Sequence, residues 1–463
     1  MKLKIISIII CVLLTGFASC SKSVKRTATY FGGKIINPKA NHVILYSMDK
    51  VIDTFFINAE NKFIGKLEDV KEGLYYFVHG YENQFVYLEP NDSLMLSLNT
   101  WNFDESLVFS GFGADRNNIL LDCFLQFEKD ERLFYQYNAL PPKLFQQKID
   151  SIIRHKIETF EDYALHHPEE TASYYELLKT ALTYPVYTRI ENYPNAHAKK
   201  MHLSSFPKTP ISFYDFRKDI DLNKDAWMYY PPYSKYVSSF LYNTTYSNGY
   251  QPMQNHFSSN FTADLLKTIA TQIKSKRFKN AYLKQTLFSH FNKKSTSEIN
   301  SNEFEVFLAL SSNEQDKALV HKLLHDNEQI ATHHQMMNFK LHDFTNTSRS
   351  LKQLLRKKNS LLFFWSPNKV SRPYVQSRIN YLSNRYPQIQ FLTIQIDGDT
   401  HTQIENFDIK KQFFIKSNSE ANSFLTSKMT RSILINRKGI VTNGFASLSS
   451  RNIYSQLDQL NQY

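Results

Sequence analysis

The sequence predicts a multidomain α+β and α/β protein, with an N-terminal β-sandwich-like domain, an α-helical middle region and a C-terminal α/β domain. Its 463 residues are enough for about three domains of ~150 residues each. Runs of β-forming residues fill the first part, helical periodicity dominates the middle, and strands alternate with helices towards the end. We therefore expect the three domains at residues 28–113, 114–337 and 338–463.

The β-domain is indicated by short apolar runs between turn signals. Residues 43–46, 74–78 and 85–88 are rich in β-branched and aromatic side chains. Asn-Pro, Glu-Gly and Pro-Asn-Asp sequences punctuate such runs. Many short strands with this punctuation predict two packed sheets.

The middle region shows apolar residues at helical spacing in five segments, which are residues 117–128, 142–166, 173–182, 263–292 and 303–324. Residues 206–258, rich in Pro, Tyr and Asn, interrupt this pattern. We expect the aromatic side chains of the region to form helical core. A groove for a small ligand is the alternative.

The C-terminal domain alternates strands with helices in the order βα…βα…ββα. An apolar run at residues 360–365 predicts the central strand. Further elements are expected in the order of the chain at residues 339–344, 351–356, 373–386, 391–396, 432–435, 440–441 and 448–460. A turn at residues 436–439 makes the last two strands a hairpin.

The loop after the central strand is the most informative stretch. It reads Trp-Ser-Pro-Asn-Lys-Val-Ser-Arg from Trp365 to Arg372. The strand, loop and helix resemble the active-site region of membrane-anchored thiol–disulfide reductases, whose catalytic domain has the thioredoxin fold. The chain is similar in style to the thioredoxin-like lipoproteins of the Bacteroidetes. In that family the loop carries a Cys-x-x-Cys pair, and the two sulfur positions here are Lys369 and Arg372.

The resemblance implies a thioredoxin fold without its usual reaction. Dithiol exchange needs a thiolate to attack a disulfide and a second thiol to resolve it, and Lys369 and Arg372 supply neither. The family also places a cis-proline before the last hairpin, where this chain has Thr430. A cis bond before a non-proline residue costs ~2.5–4 kcal/mol, so we expect a trans peptide there. We expect a non-catalytic domain; the alternative is an oxidoreductase with non-standard thiol usage.

The degenerate loop carries two positive charges in place of the cysteine pair. Lys369 and Arg372 lie at the expected N-terminus of a helix, where unpaired backbone N–H groups attract anions. With Trp365 and Thr430, and with Arg431 expected nearby, they form the candidate site for a phosphate, a carboxylate or an acidic peptide. The alternative is that these side chains are simply solvated.

The N-terminus predicts export. Lys2 and Lys4 precede an apolar run at residues 5–15. The small residues before Cys20 resemble the bacterial lipobox, which implies loss of residues 1–19 and lipidation of Cys20. An ordinary signal peptide that contains a cysteine is the alternative. Residues 20–27 form a basic tether, which favours a periplasm-facing anchor in the cell envelope and leaves inner and outer membrane open.

Cysteine usage excludes an internal disulfide in the exported form. The chain has 3 Cys, of which Cys11 lies in the signal and Cys20 is the lipidation site. Cys123 is then alone, in an apolar helical context, and we expect a buried and inert thiol.

The positive charge is concentrated at one end of the chain. Of the formal charge of +12, residues 338–463 supply 18 Lys and Arg against 7 Asp and Glu, an excess of 11. Such asymmetry favours an acidic protein or peptide partner, or an anionic membrane surface; the alternative is a solvated surface that aids solubility. No motif predicts nucleic-acid binding, a metal or a cofactor.

Taken together, the predicted export, the lost cysteine pair and the basic C-terminal domain lead us to expect a binding or scaffolding lipoprotein.

Overall fold

A computed structural model describes residues 28–252, 258–293, 302–345, 347–397 and 403–462. The predicted signal peptide, Cys20 and the tether lie outside these residues. Among the described residues, no helix is long and apolar enough to cross a membrane. The chain is a multidomain α+β protein whose contacts define two compact units. The first unit comprises the described residues up to Tyr137, with Leu144–Arg189 and Ala226–Lys235, and the second comprises Asn138–Lys143, Ile190–Asp225 and the described part of Tyr236–Tyr463.

The strands of the first unit are β1 (Thr29–Ile36), β2 (His42–Ser47), β3 (Lys50–Phe56), β4 (Lys62–Leu67), β5 (Gly73–His79), β6 (Glu82–Leu88), β7 (Ser93–Asn99) and β8 (Val108–Phe112). Within the described residues they form two four-stranded sheets, ordered β4-β1-β7-β8 and β3-β2-β5-β6. The strands predicted at residues 43–46, 74–78 and 85–88 are confirmed as parts of β2, β5 and β6.

Side chains of both sheets share one hydrophobic core. Phe31 of β1 lies with its ring centroid 5.7 Å from that of Phe55 and 5.9 Å from that of Phe77, which belong to the other sheet. Strand β1 pairs antiparallel with β4 and parallel with β7. The alternation of buried and exposed residues along β5 and β7 follows the period of two expected of strands with one buried face.

The helices that follow are α1 (Phe103–Ser106), α2 (Ala114–Tyr137), α3 (Pro142–His166), α4 (Ala172–Lys200) and α5 (Pro231–Tyr246). Asn117 fixes α2 to β6, because its side-chain amide accepts from the Tyr87 N–H at 2.7 Å and donates to the Tyr87 carbonyl at 2.9 Å. Helix α5 lies in the segment in which we predicted an interruption. Its two leading prolines begin the helix instead of breaking it, since the first turn needs no N–H donor.

The second unit contains α6 (Ser259–Gln272), α7 (Lys276–Lys293), α8 (Asn302–Leu310) and α9 (Glu314–Gln329). Residues 263–292 and 303–324 were each predicted as one helical segment, and each contains a break. At the second break Asn313 caps α9, because its side-chain oxygen accepts from the Gln315 N–H at 3.0 Å and the Asp316 N–H at 3.2 Å.

The C-terminal part consists of β9 (Lys340–His342), β10 (Ser348–Ser350), α10 (Leu351–Leu354), β11 (Ser360–Trp365), α11 (Arg372–Arg385), β12 (Gln390–Gln395), β13 (Gln412–Phe414), β14 (Arg431–Ile435), β15 (Val441–Ala446) and α12 (Asn452–Asn461). The described strands form one sheet ordered β10-β9-β13-β12-β11-β14-β15. Strand β11 runs parallel to β12 and antiparallel to β14. This is the predicted βα…βα…ββα order with thioredoxin-like topology, with β10 and β13 as elements we did not predict.

Strand β11 is the centre of this sheet, and each of its six residues is buried. Leu361, Phe363 and Trp365 face one core, together with the buried side chains of α11 and α12. Leu362 and Phe364 face a second core on the other side of the sheet. Burial on both faces explains why β11 reads as a continuous apolar run. The packing of Trp365 fixes the point at which the degenerate loop begins.

Candidate functional site

The degenerate loop is an ordered turn around Ser366, which is fully buried. The Ser366 carbonyl accepts from the backbone N–H groups of Lys369 and Val370, both at 3.0 Å. Its hydroxyl accepts from the Asn368 N–H at 3.2 Å. The turn therefore holds the backbone of Lys369 in place and leaves the lysine side chain exposed.

Lys369 reaches across to the segment that precedes β14. Its ammonium donates to the carbonyl of Lys428 at 2.6 Å. Lys428 has a φ of 48°, in the left-handed region, so the backbone turns sharply where it receives the lysine. The structure thus brings Lys369 and the segment of Thr430 together. An ammonium carries three N–H donors, so two remain for a ligand.

Arg372 is the first residue of α11, and its side chain is exposed. Its guanidinium has no hydrogen-bond or ion-pair partner in the described part of the chain. The N-cap residue Ser371 makes no side-chain capping bond, so this helix end keeps open N–H groups. The arrangement can hold an anion between backbone donors and a cationic side chain.

Thr430 and Arg431 lie before and at the start of β14. The peptide before Thr430 is trans, as expected, since no cis bond occurs among the described residues. The Thr430 hydroxyl has no hydrogen-bond partner within those residues. Arg431 is 1% exposed and forms an ion pair with Asp326. The expectation that Arg431 adds a cation to the loop surface is therefore wrong. The guanidinium is buried and its charge is paired with Asp326.

A second basic feature follows directly after the loop, and it was not predicted from the sequence. Tyr374, Arg378, Tyr381 and Arg385 recur at spacings of four, three and four, which places them along one stripe of α11. Both tyrosines are exposed, at 40% and 49%. With Arg372, the helix carries three arginines and no carboxylate. The 4-3-4 spacing was the available signal. We call Tyr374, Arg378, Tyr381 and Arg385 the α11 stripe; Arg372 lies at the start of the same helix.

Contacts hold the arginines of the α11 stripe in place. Arg378 donates through Nε to the Leu448 carbonyl at 2.7 Å and through Nη1 to the Tyr454 hydroxyl at 2.9 Å. Arg385 donates to the Tyr381 hydroxyl at 3.3 Å and lies 4.8 Å from the centre of the Tyr454 ring. The hydrogen bond from Arg378 and the charges of both arginines lower the pKa of Tyr454. The surface is thus electropositive and partly preordered.

Cys123 lies on α2 in the first unit, whereas the degenerate loop belongs to the second unit. Its side chain is half-buried. Burial raises the pKa of the Cys123 thiol to about 12, although nearby Lys156 opposes the shift. Almost no thiolate is present at neutral pH, so the thiol is a poor nucleophile and a poor metal ligand. Within the described residues, no group of three or more His, Cys, Asp or Glu side chains is placed to hold a metal.

No protein-family model and no curated protein matches this chain. Solved structures with similarity include the thioredoxin domain of a thiol-disulfide oxidoreductase from Bacteroides vulgatus, at 16% identity and a TM-score of 0.22, covering 28% of this chain and 96% of that one. A thiol:disulfide interchange protein from a Bacteroides species has 17% identity and a TM-score of 0.21, with coverage of 28% and 90%. A thioredoxin-like protein from Bacteroides vulgatus has 19% identity and a TM-score of 0.24, with coverage of 28% and 87%.

Proposed function

We propose that this chain is a lipid-anchored lipoprotein of the cell envelope whose thioredoxin-like domain binds an acidic protein or peptide and does not exchange thiols. In this proposal a β-domain, a helical region and a thioredoxin-like domain occupy residues 28–113, 114–337 and 338–463. The domain faces the periplasm. The binding surface consists of the α11 stripe together with Lys369 and Arg372, which lie at the N-terminal end of α11.

The observation that carries the proposal is the arginine content of α11. Arg372, Arg378 and Arg385 lie on a 14-residue helix without Asp or Glu. The neighbouring α12 contributes Asp458 as its single carboxylate. Carboxylates of a partner would therefore meet a surface with a net excess of positive charge. Charge-assisted hydrogen bonds from guanidinium groups to carboxylates are among the strong ones in proteins.

The composition of the stripe favours a polypeptide over a membrane. Arginine and tyrosine are enriched where proteins bind proteins. The contacts of Arg378 with Leu448 and Tyr454 restrain its planar fork, and such restraint reduces the entropy lost when a discrete carboxylate binds. Attraction to anionic lipids needs no such ordering and typically uses flexible basic clusters.

The absent cysteine pair supports binding over redox chemistry. The degenerate loop displays Lys369 and Arg372, and neither can form a mixed disulfide. Cys123 does not replace them, because its thiol has a pKa of about 12. Fold alone is no evidence for the oxidoreductase alternative, since one fold hosts many functions. Insulin reduction by the parent chain that disappears in Cys123→Ser would favour that alternative.

The binding function is tested by fluorescence anisotropy with a labelled peptide rich in Glu and Tyr. We expect Arg378→Ala/Arg385→Ala to weaken binding about tenfold or more, the effect of losing one or two charge-assisted hydrogen bonds. The matched control is Lys416→Ala/Lys438→Ala, which removes two exposed charges elsewhere in the same domain. Equal losses in both variants would show that only net charge matters, and the proposed surface would be wrong.

The anchor is tested separately. Cys20→Ala should abolish incorporation of labelled fatty acid and release the protein from the membrane fraction. Unchanged membrane association in Cys20→Ala would contradict the lipid anchor and leave the binding surface untouched.

A further inference from the structure

The first unit contains a cavity of about 380 Å³ that the proposed function does not use. Strand β6, helices α2 and α4 and the start of α5 supply its walls. Apolar rings dominate the lining, which includes Phe85, Phe124, Phe127, Pro185, Tyr230 and Pro231. Cavities of roughly 300–1,000 Å³ with apolar walls and few polar groups are typical of small-molecule sites.

Several rings at this cavity are only partly buried. Phe85, Phe124 and Phe127 are each half-buried, although Phe124 also packs against the β-core, in which Phe77 is fully buried. Tyr230 supports the wall, with its ring edge-to-face with Phe85 at a centroid distance of 5.4 Å. An apolar ligand would displace water from these exposed ring faces, which is favourable.

Two cations lie against one of these rings. Arg189 is 5.2 Å and Lys235 is 5.3 Å from the centre of the Phe127 ring. Arg189 is paired with Glu131 at 3.2 Å. Lys235 is exposed, and it has no hydrogen-bond or ion-pair partner in the part of the chain that the structure describes. Its ammonium is therefore available to pair with a ligand anion next to the Phe127 ring.

The remaining polar groups at the cavity decide the sign of the ligand's charge. Among the described residues that line it, Lys235 is the one cation. Glu128 and Glu131 also line the cavity, on the α2 side; Glu131 is paired with Arg189, and Glu128 repels an anion there. Gln84 donates to Asp104 at 2.9 Å and is occupied. The Cys123 thiol is neutral. An anionic group thus has one favourable position, at the α5 side of the cavity.

We propose that this cavity binds a small apolar carboxylate. The apolar body lies against Phe85, Phe124 and Phe127, and the carboxylate pairs with the ammonium of Lys235. The proposal is independent of the acidic-partner function, because all residues involved belong to the first unit.

The test is calorimetric titration of the full chain with benzoate, 3-phenylpropionate and 4-methylpentanoate. At least one of them should bind at a single site, and 3-phenylpropanol, which lacks the charge, should bind more weakly than 3-phenylpropionate. Lys235→Gln should weaken binding of the carboxylate about tenfold, as expected for loss of a charge-assisted hydrogen bond. Binding of the alcohol should not change in that variant.

The matched control is Lys129→Gln, which removes an exposed charge from α2 outside the cavity lining. It should bind the carboxylates as the parent does. Absence of saturable binding by all three acids would overturn the proposal. Equal affinity of the parent and Lys235→Gln, or equal affinity for the acid and the alcohol, would overturn it as well.

Discussion

Arg431 and Asp326 form a buried ion pair that connects α9 to the first residue of β14. Their side chains are 1% and 0% exposed. Asp326 also accepts hydrogen bonds from the Thr426 N–H at 2.8 Å and from the Ser427 hydroxyl at 2.6 Å. One carboxylate from α9 therefore orders the segment that faces the degenerate loop, which is the segment that receives Lys369.

Removing the charge of Asp326 should destabilise the second unit. In Asp326→Asn the guanidinium of Arg431 stays buried without its counter-charge, which costs about 3–5 kcal/mol in comparable pairs. Urea unfolding should show this loss in the free energy of unfolding. Glu328→Gln, an exposed position on the same helix, should lie within about 0.5 kcal/mol of the parent. A loss below about 1 kcal/mol in Asp326→Asn would contradict the role given to the pair.

A second buried acidic group gives the first unit a pH dependence. Arg116 lies 3.0 Å from Glu89, 3.4 Å from Asp92 and 3.3 Å from Glu170. Burial raises the pKa of Asp92 from 3.8 to about 6, although a backbone N–H and Arg116 oppose the shift. The folded protein therefore holds this proton more tightly than the unfolded chain does.

The contribution of Asp92 to stability is consequently present below about pH 4 and is lost as the pH rises through about 6, by about 3 kcal/mol in total. We expect Asp92→Asn to remove this part of the pH dependence. Free energies of unfolding of the parent and the variant, measured from pH 4 to pH 7, should diverge accordingly. Asp122→Asn, an exposed position on α2, should retain the slope of the parent. A difference between the parent and Asp92→Asn that does not change with pH would refute the assignment.

Cys123 should alkylate slowly although its side chain is half-buried and lines a cavity. With a pKa of about 12 against an ordinary value of 9.0, its thiolate fraction at pH 8 is about a thousandfold lower than in the unfolded chain. The chain is labelled with iodoacetamide in buffer and in urea, and mass spectrometry of the peptide that contains Cys123 gives the ratio of the two labelling rates. Rates within about tenfold of each other would show a reactive thiol and would reopen the oxidoreductase alternative.

The sequence was most predictive where local chemistry decides the structure. Strand β11 has the predicted bounds. Because both faces of the strand are buried, its six residues appear in the sequence as one continuous apolar run. Helix α5 was missed because Pro231 and Pro232 look like breakers unless they are placed in the first turn. The ion-pair partner of Arg431 could not be predicted from the sequence. Asp326 lies 105 residues earlier in the chain, and no local pattern records a contact at that separation.

The α11 stripe shows a related limit. Its 4-3-4 spacing is visible in the sequence, but the sequence does not show that Arg378 is held by Tyr454, which comes from another helix. Likewise, Lys369 and Arg372 could be recognised as replacements for a cysteine pair. The hydrogen bond from Lys369 to the Lys428 carbonyl depends on the fold.

The proposed function rests on the binding of carboxylates along α11, on a scaffold without dithiol chemistry. The most direct measurement is an NMR titration of the deuterated full chain with the acidic peptide, in which the arginine Nε–H signals are followed. Shifts should concentrate at Arg372, Arg378 and Arg385. Shifts of similar size at the exposed Arg349 and Arg437, or none along α11, would contradict the account.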